Sequence, residues 1–370
     1  MSSISEEDRI FCRQLPKVEL HAHLTGSISR HTLHEIWQRK RDTGELRGSN
    51  ALEDPLVAIP PAANGVNITT FFPIFSTHIY HLLSTPEDIT YSTLSVLASF
   101  LHDGVTHLEL RTTPRASAGL TKEAYVSLIL DLIAGHNTEQ DRMQTYLILS
   151  VDRRGSIAEA EETVSLALQL RDRGVVGVDL CGDPTRGDVR AFRPAFARAR
   201  EAGLGITVHF GEVQGEWVED ELMELLSWRP GRLGHVICLS DKVKDEVKRL
   251  GCGLELCLSC NVLAGMSDGG FSGHHFGGWW GGKSNGVALS TDDVGIFESE
   301  LSEEYALAMQ HFTLTKKEAI DMSKEAVKMT FAGVDAKRRA LQQLEAFENA
   351  NEVEAGKHHL QQKRNSTHTH

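Results

Sequence analysis

Short apolar segments with the composition of β-strands alternate with longer amphipathic segments along this chain, and the strand-like segment occurs eight times. In residue numbers these segments are 18–24, 107–113, 145–152, 175–181, 206–212, 232–236, 254–259 and 287–292. Strands that alternate with helices are typical of a parallel sheet, because each connection between parallel strands has to return to the other end of the sheet. Eight such units predict an α/β fold, a closed (β/α)8 TIM barrel.

The connection between the first two strand-like segments is much longer than the others and contains several helical patterns. It predicts a helical insertion after the first strand that forms one wall of a pocket. We expect a single barrel domain over residues 1–349 and a polar, disordered tail over residues 350–370. The glycine-rich segment 266–286 is either a floppy loop or a mobile aromatic lid, and the sequence leaves both interpretations open.

Charge and apolar patterning exclude several classes of partner. The 38 Lys and Arg residues against 51 Asp and Glu residues give a net charge of −13, which argues against a nucleic-acid partner and a polybasic membrane contact. The chain has no apolar run near the roughly 18 residues of a membrane span, and its N-terminus does not resemble a signal peptide. Its six cysteines suit a reducing compartment, and we expect a cytosolic monomer.

At the ends of four of the strand-like segments stand polar residues of the types that bind zinc or activate groups beside a zinc ion. They stand in His21-Ala22-His23, His209-Phe210-Gly211-Glu212, Leu233-Gly234-His235 and Ser290-Thr291-Asp292-Asp293. Side chains alternate between the two faces of a strand, so His21 and His23 point the same way and can bind one metal ion. Because barrel enzymes place catalysis at the C-terminal ends of their strands, we expect these groups to converge.

Three imidazoles and one carboxylate, from His21, His23, His209 and Asp292, form a sound zinc set with a position left for water. Zinc lowers the pKa of such a water to roughly 7, which provides hydroxide at neutral pH. Glu212 is close enough to act as a general acid without binding the metal. His235 can orient or deprotonate the water, and Asp293 can accept a hydrogen bond from the substrate.

Structural interpretations compete with these roles. Burying His21 and His23 without partners would be costly, so a metal accounts for them better than the core does. For the adjacent acids Asp292 and Asp293 a solvated turn remains the alternative, and Glu212 and His235 taken alone would be ordinary surface residues. The Cys257-Leu258-Ser259-Cys260 motif has no second CxxC, so we interpret its cysteines as core residues.

These four motifs, in this order, resemble those of the adenosine/AMP deaminase family of the amidohydrolase superfamily, with the resemblance running from about Leu15 to Gly333. Glu109-Leu110-Arg111-Thr112-Thr113-Pro114-Arg115, Val151-Asp152-Arg153-Arg154-Gly155 and His274-His275-Phe276 resemble its adenosine deaminase-like branch. The resemblance implies a metal-dependent hydrolase that converts N6-methyl-AMP to IMP and methylamine by attack of zinc-bound hydroxide on purine C6. Thr25, Val236 and the segment Leu258-Ser259-Cys260-Asn261 depart from the family pattern.

The resemblance also implies a role for each matching residue. His21, His23, His209 and Asp292 would bind one zinc ion per chain, Glu212 would donate a proton to the purine ring, and His235 would be the catalytic histidine. The implied substrate-binding residues are His23, Thr25, His78, Thr113, Arg115, Asp152, Gly182 and Asp293.

A nucleotide substrate has weaker support from the residues themselves. Arg111, Arg115, Arg153 and Arg154 stand at or after strand ends, where a guanidinium could hold a phosphate, although some of them could instead pair with the surplus acids. Two alternatives therefore stay open beside a small-molecule purine nucleotide. One is an adenosine deaminase that acts on the nucleoside, and the other is a purine-binding protein without activity.

Overall fold

The computed structural model describes residues 4–48, 51–63, 66–117, 119–139, 142–282 and 284–366. Its eight strands form one sheet in chain order, and every neighbouring pair is parallel. The strands are β1 (Lys17–His23), β2 (Val105–Thr112), β3 (Gln144–Asp152), β4 (Val175–Cys181), β5 (Gly205–Phe210), β6 (Arg232–His235), β7 (Gly253–Leu256) and β8 (Val287–Leu289). The predicted (β/α)8 barrel is confirmed.

The barrel closes between β8 and β1 through a short parallel bridge rather than a long ladder. The backbone N–H of His23 donates to the carbonyl of Asp292 at 2.9 Å, and the N–H of Asp292 donates to the carbonyl of His21 at 2.7 Å. The buried Glu19 carboxylate joins the same seam, because it accepts from the N–H of His21 at 2.8 Å and the N–H of Thr291 at 3.0 Å. The closure therefore brings the end of β1 beside Asp292.

Helices surround the sheet and fill the loops at its C-terminal end. They are α1 (Glu6–Gln14), α2 (Arg30–Thr43), α3 (Pro55–Ala58), α4 (Ile68–Ile74), α5 (Tyr80–Leu82), α6 (Pro86–His102), α7 (Lys122–Glu139), α8 (Ile157–Gln169), α9 (Arg193–Glu201), α10 (Val218–Ser227), α11 (Asp241–Leu250), α12 (Leu258–Leu263), α13 (Gly270–Gly273), α14 (Phe276–Trp279), α15 (Val294–Phe297), α16 (Leu301–Phe312), α17 (Lys316–Met329) and α18 (Val334–Ser366). In the described part of the chain, none of them has the length and apolar character needed to cross a bilayer.

Helices α2 to α6 lie between β1 and β2, where the sequence predicts a helical insertion. A π-helical turn, Phe75–Ile79, joins α4 to α5. Helix α6 begins with a capping box in which Thr85 and Asp88 satisfy each other's backbone N–H groups, so the insertion ends at a defined position.

The structure assigns a helix to most of the segment that the sequence predicts to be a polar, disordered tail. Helix α18 continues without a break to Ser366, and residues 367–370 lie outside the described residues. Residues 350–366 are polar, but they are rich in Glu, Ala, Gln and Lys, contain no Pro, and therefore favour a helix. The division into a barrel domain over residues 1–349 and a tail stays a prediction.

A phenylalanine from the loop after α17 closes the N-terminal end of the barrel. The Phe331 ring lies against the guanidinium of Arg232, with 3.6 Å between the carbon of that group and the ring centroid. A Cβ atom added at Gly205 would come within 2.2 Å of the same ring. Arg232 pairs with both Glu109 and Glu255, each at 2.5 Å. The barrel interior here therefore contains a network of paired charges that lies against the Phe331 ring.

We expect Gly205→Ala to lower the free energy of unfolding by about 1–3 kcal/mol, since the new methyl group would force the Phe331 ring out of its packed position. Urea unfolding measures the effect. Gly278→Ala is the matched control, because no atom lies within 4 Å of a Cβ built there. Equal unfolding free energies for the two variants would contradict the packing described here.

Candidate active site

A cavity of about 260 Å³ opens at the C-terminal end of the barrel, where the four sequence motifs converge. Its wall includes His23 from β1, His209 from β5, His235 from β6, and Asp292 and Asp293 after β8. His21 is fully buried beneath them. Residues more than 260 positions apart in sequence meet here because the C-terminal ends of all eight strands share one rim of the barrel.

Four side-chain atoms form a compact cluster at the bottom of this cavity. The Nε2 atom of His209 lies 3.3 Å from Nε2 of His21 and 3.1 Å from Nε2 of His23. The Oδ1 atom of Asp292 lies 3.2 Å and 3.3 Å from the same two nitrogens of His21 and His23. Tetrahedral zinc with ligand distances of about 2.0–2.1 Å separates its ligand atoms by about 3.3–3.4 Å, so this donor set fits zinc.

His235 also lies near the cluster, within a group of four side chains whose donor atoms all lie within 4.8 Å of one another. That group contains His21, His209 and Asp292 but not His23. The Nε2 atom of His235 is 3.9 Å from Oδ2 of Asp292, a longer distance than any given above for His23. His23 therefore completes the tighter set, and His235 lies beside it.

Two buried carboxylates, which none of the sequence motifs indicated, contact the Nδ1 atoms of two histidines of the cluster. Oε2 of Glu255, in β7, lies 2.8 Å from Nδ1 of His21. Oδ1 of Asp179, in β4, lies 3.1 Å from Nδ1 of His209, which also lies 2.9 Å from the carbonyl oxygen of Leu180. Such contacts turn Nε2 of each ring toward the metal position. The available signal was an acid inside an apolar strand, which is costly unless it has a partner.

Contacts of both its backbone and its side chain hold Asp292 in place. Its backbone bridges to β1, its φ of +60° lies in the left-handed region, and the thiol of Cys260 donates to its Oδ2 at 2.8 Å. Oδ1 has no hydrogen-bond partner among the described residues and faces the histidines. Burial is opposed by the adjacent His21 and the other nearby histidines, which hold the pKa of Asp292 well below its usual range. An ionised carboxylate is the form that binds a cation.

Glu212 lies in the cavity wall just beyond β5, after a turn at Gly211 whose φ is +70°. Its Oε1 lies 3.9 Å from Nε2 of His235. Burial raises the pKa of Glu212 to about 7, against partial compensation by His209. A carboxyl group with that pKa can donate a proton at neutral pH.

The structure gathers most of the predicted substrate-binding residues, which line the cavity. These are His23, Thr25, Thr113, Arg115, Asp152, Gly182 and Asp293. His78 is not among the lining residues, and its Nδ1 lies 2.9 Å from the hydroxyl of the adjacent Thr77 on the π-helical turn. The sequence did not indicate the π-helical turn. Its extra residue changes the direction in which the following side chains point, so the orientation of His78 could not be inferred.

An aromatic wall from the insertion covers one side of the cavity, as the predicted position of the insertion implied. It consists of Phe71, Phe72, Phe75 and Tyr80. These residues were not singled out in the sequence, although adjacent phenylalanines in a connection expected to form a pocket wall were an available signal. The glycine-rich segment 266–286, in contrast, contributes none of its described residues to this cavity and instead buries Phe276 and Trp279 beside it.

Of the four arginines considered for phosphate binding, three are paired with carboxylates. Arg111 is wrong as a candidate, because it lies inside the barrel and pairs with Glu255 at 2.7 Å and Asp179 at 3.3 Å. Arg153 pairs with Glu221 at 2.7 Å, and Arg154 pairs with Asp152 at 2.5 Å.

Arg115 differs from the other three. Its guanidinium stacks on Tyr80, 4.1 Å from the ring centroid. Its Nη1 and Nη2 atoms are buried and have no hydrogen-bond partner among the described residues.

Comparison with known proteins agrees with this geometry. A profile of the family described as adenosine deaminase matches residues 16–347 of the 370-residue chain. The chain belongs to the adenosine deaminase family. As a member of that family it is a hydrolytic enzyme, a deaminase.

Several relatives resemble the deaminase over most of their length. The N6-methyl-AMP deaminase of Homo sapiens is 37% identical over 333 residues, which cover 87% of this chain and 90% of the relative. The N6-methyl-AMP deaminase-L of Xenopus laevis is 37% identical over 333 residues, covering 88% and 92%. The solved N6-mAMP deaminase of Arabidopsis superposes with a TM-score of 0.84 at 32% identity, covering 91% of this chain and 99% of that one.

Proposed function

We propose that this deaminase hydrolyses a purine nucleotide, N6-methyl-AMP, to IMP and methylamine, and that it requires one zinc ion per chain. The observation that carries the nucleotide assignment is Arg115, a cation at the cavity wall whose two terminal nitrogens lack partners in the described structure. In a chain with a net charge of −13, such a group is suited to a 5′-phosphate. The N6-methyl-AMP deaminases among the relatives, and a second Arabidopsis structure at 32% identity that was solved in complex with IMP, support the same substrate class.

The cavity suits a molecule with two different ends. The cavity is lined by His23, His209 and Asp292 of the cluster, by the separate cation Arg115, and by the phenylalanines of the insertion. A planar purine can stack against an aromatic wall, and its phosphate can reach the guanidinium. Oδ1 of Asp293 is buried without a partner among the described residues and is available for a purine nitrogen.

Water adds to C6 of the purine, and the bond from C6 to the substituted amine breaks, so that the products are IMP and methylamine. Glu212 donates its proton to the ring nitrogen beside C6 as the carbon–oxygen bond forms. Of the two protons of the water, one leaves on methylamine and the other restores the acid form of Glu212. His235 lies 3.9 Å from Glu212 and orients the attacking water. Zinc bound by His21, His23, His209 and Asp292 would polarise that water and make hydroxide available near neutral pH. The monomeric state and the cytosolic location remain predictions.

Arg115→Met tests the phosphate assignment, since methionine keeps much of the side-chain volume and removes the charge. A charge-assisted contact is commonly worth about 1.5–3 kcal/mol, so kcat/KM for N6-methyl-AMP should fall about 10- to 100-fold. The value for N6-methyladenosine, which lacks the phosphate, should change little. Steady-state kinetics on both substrates give the answer.

Arg190→Met is the matched control, because Arg190 is exposed, pairs with Asp188 and lies outside the cavity. Equal losses on nucleotide and nucleoside in Arg115→Met would show that Arg115 supports the fold rather than the phosphate. A parent enzyme that prefers adenosine to N6-methyl-AMP would instead favour the alternative of an adenosine deaminase that acts on the nucleoside.

A further inference from the structure

The His274-His275-Phe276 motif contacts the active site from outside the cavity. His274 and Phe276 are buried, and the Nε2 atom of His274 lies 3.0 Å from the side-chain amide of Asn261. The atom of Asn261 nearest His274 is Nδ2, and its Oδ1 lies 2.9 Å from Nδ1 of His235. A buried chain of three side chains, His274, Asn261 and His235, thus leads from the glycine-rich segment to the catalytic cluster.

The backbone determines which nitrogen of His274 carries the proton. The N–H of Phe276, which can only donate, points at Nδ1 of His274 at 3.0 Å. Nδ1 of His274 must therefore be an unprotonated acceptor. Burial lowers the pKa of His274 to about 3, so its ring is neutral and its proton lies on Nε2.

The proton on Nε2 of His274 decides the orientation of the Asn261 amide. Because Nε2–H is a donor, Asn261 has to present its oxygen to His274 rather than its NH₂ group. Oxygen and nitrogen of an amide occupy almost the same positions, so orientation follows from the hydrogen-bond network. The structure places Oδ1 of Asn261 toward His235 and Nδ2 toward His274, so this orientation requires a 180° rotation of the amide that exchanges the two atoms. After that rotation Asn261 presents its NH₂ group to His235, and Nδ1 of His235 can only accept.

We propose that Asn261 and His274 are positioning residues that hold neutral His235 with its proton on Nε2, so that His235 meets the reacting water as a hydrogen-bond donor and not as a base. Nε2 of His235 faces Oε1 of Glu212 and Oδ2 of Asp292, each at 3.9 Å. The role of His235 in the reaction rests on the proposed function, whereas its tautomer does not.

The backbone of His235 is fixed by the same segment. His275 donates from Nε2 to the carbonyl oxygen of His235 at 2.6 Å. His235 and Val236 have φ values of +65° and +58°, which are costly for residues with a side chain and for a β-branched residue above all. The N–H of Val236 bonds to the carbonyls of Phe210 and Gly234, both at 2.9 Å, so the turn that carries His235 is closed on itself. The backbone that carries the ring is therefore fixed, and the ring itself is buried.

A nuclear magnetic resonance experiment on the zinc-loaded protein reads the tautomer directly. In protein labelled with ¹⁵N-histidine, long-range ¹H–¹⁵N correlations distinguish a ring protonated on Nε2 from one protonated on Nδ1. The signals are assigned with His235→Gln and His274→Gln. We expect the Nε2–H pattern for both rings, and a proton on Nδ1 of His235 would overturn the proposal.

Asn261→Asp should reverse the tautomer, since a carboxylate has no N–H and can only accept from Nδ1–H of His235. We expect the ¹⁵N pattern of His235 to change to Nδ1–H, and kcat for N6-methyl-AMP to fall roughly 10- to 100-fold with KM within a few-fold. Asn285→Asp is the matched control, a half-buried amide that donates to the carbonyls of Val247 and Cys252 away from the cavity. It should leave both the His235 pattern and kcat unchanged.

The outcomes separate this proposal from the proposed function. Unchanged kcat in Asn261→Asp, together with a reversed tautomer, would show that the tautomer has no role in turnover. If Asn261→Asp does not fold, the spectrum of the parent protein decides alone. A parent that does not hydrolyse N6-methyl-AMP would overturn the proposed function and leave the tautomer to be judged by the spectrum.

Discussion

Asp292→Ala is expected to yield a folded protein that no longer retains zinc and no longer hydrolyses N6-methyl-AMP. Asp292 supplies the oxygen of the four-atom cluster, 3.2 Å and 3.3 Å from the nitrogens of His21 and His23. Changing a residue that only supports a metal ligand commonly costs roughly 10- to 100-fold in metal affinity or activity, so removal of a ligand itself should cost more than about 100-fold. Elemental analysis of the purified variant and kcat/KM measured at fixed zinc test both parts.

His21→Ala should behave in the same way, because it removes a second ligand from another strand. Asp188→Ala provides the matched control, as Asp188 is an exposed acid whose side chain binds Arg190 and contacts nothing in the cavity. Full zinc occupancy in both Asp292→Ala and His21→Ala would refute the metal assignment. Loss of zinc with retained turnover would refute the need for zinc in the reaction.

Glu212→Gln should lower kcat by roughly 10²–10⁴-fold while KM for N6-methyl-AMP stays within a few-fold. Glutamine keeps the shape and the hydrogen bonding of the side chain but has no proton to give to the ring nitrogen. Burial raises the pKa of Glu212 to about 7, so in the parent enzyme the acid form decreases as the pH rises above that value. The corresponding decline of kcat toward alkaline pH should be absent from the variant.

Glu216→Gln is the control for this substitution, since Glu216 lies in the same loop and is exposed to solvent. Steady-state kinetics and a pH profile of kcat for parent and both variants provide the comparison. Turnover of Glu212→Gln within a few-fold of the parent would exclude Glu212 as the acid.

The order of strands and the position of the reactive groups could be predicted from the sequence. Strand periodicity places His21 and His23 on one face of β1, and the carboxyl ends of parallel strands in a closed barrel must share a rim. His209, Glu212, His235 and Asp292 stand at or just after three other strand ends, so their convergence followed from local patterns alone. The structure then places Nε2 of His21 and of His23 within 3.1–3.3 Å of both Nε2 of His209 and Oδ1 of Asp292.

The partners of these groups could not be predicted in the same way. Arg111 and Arg115 both belong to the region of β2, yet Arg111 pairs with carboxylates from β4 and β7 inside the barrel, and Arg115 stacks on Tyr80 from the insertion. The local sequence places Arg111 inside the strand-like segment and Arg115 after it, but it does not give the partners of either arginine. The contacts of both arginines come from elements distant in sequence, so the tertiary packing determines these environments.

By itself, the sequence determined the barrel, the rim on which chemistry can occur and the residue types present there, because all of these depend on periodicity along one strand. Only the tertiary structure decided which arginine is free for a phosphate, which carboxylates orient His21 and His209, and that His274 reaches His235 through Asn261. Those contacts join side chains from separate strands and loops. Their distances depend on how those strands and loops pack together, and no single segment of the chain encodes that packing.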